Sequence, residues 1–475
     1  MATPTETRRG RGRRGGKLNK ARRRKPVDSA MADGATTTTV DDVPDHLLQD
    51  ILLRLASPTC LVRAAYTCKR WRRVVTAAGF LDALRSLHGA TRHVAGHYHT
   101  VDDAYYKPAA AGGLPDGGRS FVFVPSDSLA ATDGRRFSSL DFLPECESGY
   151  SWELADSRGG LLLLTKMKQR TGGGSPARRH CFTFPDLIVC EPLTRRHQGI
   201  LCPPDLSGYL CLGVFLLDGG GGGGIGMSNF KVICALYDRY LLNYILPLGE
   251  TLACTFTSGS GGGGWRLPHS TAAGGDVTLE RVRLDATSFV GRANGRVYWE
   301  IEGDEDGDML VLDETTAGFS LVTFPENVRE SYDKRTFRII AGDGDDDGIA
   351  ATRVVRVINN DLKVFAQLDG DGDGEWVLEK RVWLPAAARG LPGYDEGYFQ
   401  EQNGEAIVVA ASAAYVLLTP PVEDTWLFSV ELETMAVERW HERNRYAGVA
   451  YPCELPWPPA LQATDTAPIS GRRRC

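Results

Sequence analysis

From about residue 95 onward the chain carries only short apolar runs, cut apart by glycine, proline, aspartate and asparagine. Ser120–Val124, Gly160–Leu164, Leu187–Cys190, Lys231–Leu236, Val297–Ile301, Met309–Leu312, Val354–Ile358, Lys363–Leu368, Ile407–Val409, Tyr415–Leu418 and Trp426–Val430 are such runs. Each is long enough for a strand and too short for a stable helix, and no long helical pattern interrupts the series. Residues 95–460 are therefore expected to form a large all-β domain. Residues 461–475 are read as a flexible C-terminal tail.

A local pattern recurs inside that region. Val189–Arg195, Val311–Ala317 and Val430–Met435 each place an acid near a threonine just after an apolar run, and a second run follows. The expected geometry is a tight hairpin in which the acid and the hydroxyl cap turn amides. The threonines Thr194, Thr316 and Thr434 lie 122 and 118 positions apart, about three times the ~40-residue repeat of a propeller blade. Two architectures remain open: an irregular β-propeller, or a large antiparallel sheet or sandwich with ordinary hairpins. Glycine runs such as Gly219 to Gly224 read as loop insertions.

Residues 1–40 lack the large apolar side chains a core needs. Residues 1–30 hold 11 Arg and Lys against Glu6 and Asp28, so of the formal charge of −6 the rest of the chain carries −15. An acidic body does not bind nucleic acid by charge alone, so no specific nucleic-acid partner is expected. The two basic clusters, Arg8, Arg9, Arg11, Arg13 and Arg14, then Arg22, Arg23, Arg24 and Lys25, suit a nuclear import signal or a solvated tail. The expected location is nucleus, cytoplasm or both. No secretory signal pattern is present. The longest apolar run, Ala406 to Leu418, spans about 13 residues, short of the ~20 a membrane-spanning helix needs. The 11 cysteines form no C-x-x-C pair and read as reduced thiols of an intracellular protein.

Residues 41–88 have a different periodicity. Pro44 and Asp45 suit a helix start, and Leu47, Leu48, Ile51, Leu52 and Leu55 recur at helical spacing. Ser57 and Pro58 suit the cap and first position of a second helix carrying Leu61, Val62 and Ala65. A third helix is expected from Thr67–Cys68 through Trp71, Val74 and Val75, closed by Gly79 as a C-terminal cap. Phe80, Leu81, Leu84 and Leu87 extend the apolar surface. A module of about 40 residues buries too little surface to be stable alone. Its first helix nonetheless has two apolar lines: Leu47, Ile51 and Leu55, then Leu48 and Leu52. One line can build an internal core, and the other needs a partner. Trp71, ringed by Lys69, Arg70, Arg72 and Arg73, has the make-up of an interface anchor with a polar rim.

Residues 43–80 resemble the F-box. The family pattern is Leu-Pro-Asp-x-Leu-Leu, Ile-Leu-x-x-Leu, a Ser/Pro break, Leu-x-x-Ala, Cys-Lys-x-Trp and a closing Phe. Pro44, Asp45, Leu47, Leu48, Ile51, Leu52, Leu55, Ser57, Pro58, Leu61, Ala64, Cys68, Lys69, Trp71 and Phe80 fall in register with it, and Val43 replaces the usual Leu. The resemblance implies a small three-helix F-box ahead of the β domain, an α+β multidomain chain. It also implies a non-catalytic substrate receptor of a cullin-based ubiquitin ligase. An Skp-type adaptor would grip Pro44, Leu47, Ile51, Leu55, Pro58, Leu61, Val62, Cys68 and Trp71, and a cullin would bind through that adaptor. The β domain would hold a protein target whose identity the sequence does not give. Ser157–Leu162, Gly295–Trp299 and Leu310–Asp313 resemble, more loosely, the β-rich F-box-associated domains of large plant families. The alternative is a nuclear F-box scaffold or transcription-associated binder outside any ligase, suggested by the basic tail.

Other chemical signals are weak. Asp369, Asp371, Asp373 and Gly374 imitate half an EF-hand loop, but the twelfth position is Lys380. Asp343 to Gly348 fails in the same way at Val354. Gly221, Gly223 and Gly226 fit a phosphate-loop spacing only because they lie in a glycine run, and a strand pattern follows. His441-Glu442 lacks the second histidine of a zinc helix, and no metal-ligand spacing or RING-like array occurs. No cofactor or metal is expected. Aromatics gather late in the chain, and those of Gly390 to Tyr394 fall in an expected loop open to a target.

Overall fold

The computed structural model describes residues 43–55, 58–88, 93–100, 121–126, 140–168, 184–217, 225–239, 249–259, 264–267, 287–301, 308–329, 333–344, 350–368, 375–420, 422, 425–444 and 449–455. The basic clusters of residues 1–40 and the tail 461–475 lie outside them.

The helical module has four helices among the described residues: α1 (Asp45–Leu53), α2 (Pro58–Thr67), α3 (Lys69–Thr76) and α4 (Ala78–His88). Pro44 caps α1 and Asp45 occupies its first turn, where a negative charge opposes the helix dipole. Asp45 also pairs with Arg70 at 2.7 Å, and Arg70 donates to the Val43 carbonyl, tying α3 to the start of α1. Cys68 caps α3, its sulfur accepting from the Trp71 amide at 3.5 Å. The expected stop at Gly79 is corrected. The last helical residue of α3 is Thr76, Ala77 turns extended, and Gly79 sits inside the first turn of α4. Phe80, Leu84 and Leu87 thus belong to a fourth helix, not to a trailing segment.

Beyond the helical module the described residues form six antiparallel units arranged as a closed ring. The second unit holds β3 (Tyr150–Arg158), β4 (Leu161–Lys168), β5 (Leu187–Glu191) and β6 (Arg196–Ile200). The third holds β7 (Leu210–Leu217), β8 (Lys231–Arg239), β9 (Gly249–Thr257) and β10 (Gly264–Arg266). The fourth, β11 (Thr287–Ala293), β12 (Arg296–Ile301), β13 (Asp308–Asp313) and β14 (Phe319–Thr323), is joined to the fifth through a parallel pairing. The fifth holds β15 (Phe337–Gly344), β16 (Ala350–Ile358), β17 (Asp361–Gln367) and β18 (Trp376–Trp383). The sixth is β19 (Ile407–Ala411), β20 (Tyr415–Thr419), β21 (Thr425–Glu431) and β22 (Val437–Asn444). The first unit closes the ring: β1 (His93–Thr100) and β2 (Phe121–Pro125) come from the start of the domain, and β23 (Ala450–Leu455) from its end.

Each pair of neighbouring blades shares its own apolar core. Leu154, Leu162 and Tyr98 fill the contact of the first and second blades, and Leu163, Val232 and Phe230 that of the second and third. Trp299 and Phe215 join the third to the fourth, Phe337 and Val311 the fourth to the fifth, Val364 and Val408 the fifth to the sixth. Leu427 and Ala450 bring the sixth back to the first. A central strand buried on both faces reads as a continuous apolar run, which is why Leu161 to Leu164 are all buried. The architecture is the β-propeller, and the alternative of a large antiparallel sheet or sandwich falls away.

The three acid–threonine turns join third to fourth strands of the second, fourth and sixth blades. Thr194 and Thr434 hydroxyls donate to Glu191 and Glu431 carboxylates, while Asp313 accepts from the Thr315 and Thr316 amides at 2.9 and 2.8 Å. Each turn ends in a left-handed residue, Arg195, Ala317 or Met435. The spacing therefore marks two blades, not three, because the loops lengthen each blade beyond the usual repeat.

Candidate docking surfaces

In the helical module, Leu48, Leu52, Leu61, Ala65, Val75 and Phe80 make the core, with Val43, Leu53, Leu55 and Trp71 packed partly against it. The two apolar lines of α1 separate as helical geometry requires. Leu48 and Leu52 turn inward. Leu47 remains 47% exposed and Ile51 54% exposed, and Leu87 on α4 is exposed as well. Pro44 and Cys68 are exposed, and Lys69, Arg72 and Arg73 surround the half-buried Trp71. Leu61 is corrected: it is fully buried in the helical core and has no surface to offer a partner. The side chains of Pro58 and Val62 lie outside the described residues.

The propeller has two unlike ends. At one end the inner strands finish. Gly159, in the β3–β4 turn, donates from its amide to the Glu454 carboxylate near the end of β23 at 2.9 Å. β1 begins there too, since His93 faces Leu455 in the register. The helical module joins the propeller at this end, with four residues between His88 and His93. Tight turns dominate here, including the three acid–threonine turns. Burial works to raise the Asp313 carboxyl, but the amides of Thr316 and Thr315 outweigh it and hold it below its ordinary value. Just inside this end, Arg292 on β11 reaches the carboxylates of Asp156 (3.4 Å) and Glu314 and the Leu216 carbonyl (2.7 Å). Asp156 in turn accepts from the Leu216 amide at 2.7 Å. This knot ties the second, third and fourth blades. Burial pushes the Asp156 carboxyl up, against the pull of Arg292.

At the opposite end the inner strands begin. Exposed Tyr150 opens β3, exposed Val449 precedes β23, and Phe289 lies near the start of β11. Leu201 and Leu267, which follow β6 and β10, and Trp383, which ends β18, are also exposed there. The sequence did not single out Phe289, because a bulge between Phe289 and Gly291 breaks the alternation that would have placed it. The expected open loop of Gly390 to Tyr394 is packed down. Leu391 and Tyr394 join Trp426 and Phe428 in an apolar cluster, and Gly393 lies so close to Trp426 that a Cβ would fall 1.9 Å from its ring. Arg439 stacks on the same ring at 3.5 Å and donates to the Pro392 carbonyl at 3.0 Å.

Among the described residues no cluster of His, Cys, Asp and Glu could hold a metal, and no helix is long and apolar enough to cross a membrane. The two Asp-rich stretches fall largely outside those residues.

Comparison with known proteins agrees with this architecture. Residues 40–80 match the F-box-like family, and residues 186–461 match the family described as "F-box protein AT5G49610-like, beta-propeller". The second match begins near β5, so β1 to β4 lie ahead of it and complete the ring. No curated protein matches the chain. Among solved structures, the chain is similar to one described as "putative TolB from Agrobacterium tumefaciens", at 11% identity over 65% of this chain and 91% of that one, with a TM-score of 0.30. It is also similar to a chain of a Nidogen/Laminin complex, at 10% identity over 75% and 96%, with a TM-score of 0.31. Likenesses this low carry no argument. The family assignment rests on the two sequence matches and on the helices and closed ring they cover: this chain belongs to the AT5G49610-like F-box proteins, with an N-terminal F-box and a C-terminal β-propeller.

Proposed function

We propose that the protein is a substrate receptor of an SCF-type cullin ubiquitin ligase. The observation that carries this reading is the half-exposed apolar line of α1, Leu47 and Ile51, left over after Leu48 and Leu52 have built the helical core. In water such a line is unfavourable, and burial against an Skp-type adaptor would remove it. Exposed Pro44 and Cys68 and half-buried Trp71, with its basic rim, extend the surface. The adaptor would link the chain to a cullin, and the propeller would hold a protein target. The rate gain is proximity: the target lysine is kept at high effective concentration near the activated ubiquitin. In this role no residue of the chain performs covalent chemistry.

The test is co-purification of the full chain with an Skp-type adaptor and a cullin. Both partners should be retained by the wild type and lost with Ile51→Asp. A wild-type chain that retains neither refutes the proposal.

A further inference from the structure

The basic residues around Trp71 are of two kinds. Lys69, Arg72 and Arg73 are exposed, whereas Arg70 is partly buried and turned back onto the start of α1. Its Nε donates to the Asp45 carboxylate at 2.7 Å, and a terminal guanidinium nitrogen donates to the Val43 carbonyl. One planar fork therefore holds both the first residue of α1 and the chain that enters it, from 25 positions away in sequence.

The start of α1 has few other ties. The helix has nine residues, below the ~12–15 at which an isolated helix becomes marginally stable. It packs on α3 and α4, and Leu48 and Leu52 are its fully buried side chains. Two side chains one turn apart set the depth of a helix but resist its rolling about its own axis only weakly. A roll of about 20° on a radius of ~5–6 Å carries a side-chain tip by about 2 Å. Close-packed surfaces do not absorb a shift of that size. Arg70 lies on α3 directly before Trp71, so the same fork ties the Leu47 and Ile51 line of α1 to the helix that carries Trp71.

Resting on the receptor reading, we propose that Arg70 is a positioning residue for the adaptor. Acting through Asp45 and the Val43 carbonyl, it keeps Leu47 and Ile51 in line with Trp71 before the adaptor arrives. Only the aligned module docks, so the apparent Kd rises in inverse proportion as the aligned fraction falls. The loss appears mainly in association, because a module that has docked is already aligned.

The test measures association and dissociation of a purified Skp-type adaptor with the full chain, together with native-state hydrogen exchange of α1. Arg70→Ala and Asp45→Ala should each slow association on the order of 3- to 10-fold and leave dissociation within about two-fold. The double variant should be no slower than the slower single, because both remove one tie. Arg70→Lys, which keeps the charge but not the fork, should fall between Arg70→Ala and the wild type. Amides of residues 45–53 should exchange faster in Arg70→Ala, while those of α3 exchange as in the wild type. Long-range steering makes the opposite forecast: removing a base and removing an acid would move association in opposite directions. That result, a change confined to dissociation, additive losses in the double variant, or wild-type association by both singles each overturns the proposal. A wild-type chain that binds no adaptor refutes the receptor reading and this role with it, whereas normal adaptor binding by every variant refutes the positioning role alone.

Discussion

Replacing Leu47 and Ile51 together by alanine should weaken adaptor binding without unfolding the F-box, and its size can be estimated. Full burial of a leucine or isoleucine side chain is worth roughly 1.5–3 kcal/mol. About half of each residue is already covered by the module (47% and 54% exposed). An adaptor can therefore gain roughly 1.5–3 kcal/mol from the pair. Alanine keeps the Cβ, so the expected loss is about 1–2 kcal/mol, or roughly 5- to 30-fold in Kd. Titration calorimetry with a purified Skp-type adaptor reads this directly. Thermal melting of the same samples separates docking from folding, because these side chains lie outside the core and should change stability by less than about 1 kcal/mol. Leu52→Ala is the contrasting control: it hollows the core and should cost about 2–5 kcal/mol of F-box stability. A double variant that melts like the wild type and binds the adaptor within about two-fold of it would refute the claim that this line is the docking surface.

Two further predictions concern the propeller. Arg292→Ala strands the largely buried carboxylates of Asp156 and Glu314, and should destabilise the ring by about 3–5 kcal/mol in urea unfolding; a loss below about 1 kcal/mol would show that the knot is solvated. His97, buried on β1 and hydrogen-bonded to the Tyr415 hydroxyl of the sixth blade at 2.7 Å, is pushed by burial down to about 4. Its folded value lies below the unfolded ~6.5, so the unfolded chain binds the extra proton between the two. Stability should be intact above pH ~6.5 and fall by up to about 3 kcal/mol toward pH ~4. His97→Gln should flatten that slope in melts across this range, and an unchanged slope would remove the assignment to His97.

What the sequence revealed and what it hid follow from how a blade is built. The apolar runs legible in advance are almost all second and third strands: β4 and β5, β12 and β13, β16 and β17, β20 and β21. These lie between two strands and between two blades, so both faces want apolar residues. Fourth strands such as β6, Arg-His-Gln-Gly-Ile, border solvent and carry little apolar signal. Most first strands were hidden for another reason. In every blade the pairing of the innermost strand with the next is shifted by a bulge or irregularity, at Val94/Gly96, Leu154/Asp156, Cys211/Gly213, Phe289/Gly291, Ala341/Gly344 and Val408/Ala410. A bulge adds a residue and resets the two-residue alternation, so no period survives to be read. The F-box line of Leu47 and Ile51 was legible because α1 keeps an unbroken helical period. Leu61 was misplaced because one helix's sequence does not say which of its apolar residues the other three will cover.

The join between the two parts bears directly on the proposed receptor role. Four residues separate α4 from β1, and the link from His88 to His93 spans at most roughly 17 Å. A longer tether would let the propeller wander and dilute the target near the ubiquitin-carrying enzyme, since effective concentration falls steeply with tether length. The short join keeps the F-box near the end where the inner strands finish, while exposed Tyr150, Phe289 and Val449 sit where they begin. An adaptor on the F-box would then approach from the end where the inner strands finish and leave the other end uncovered. Rigidity between the two parts rests on the ring staying closed, and closure depends on β23 pairing with β1, whose first residue, His93, also ends the join. Opening the β1–β23 pairing would therefore loosen the F-box attachment and the opposite end of the ring, where β23 begins, in a single event.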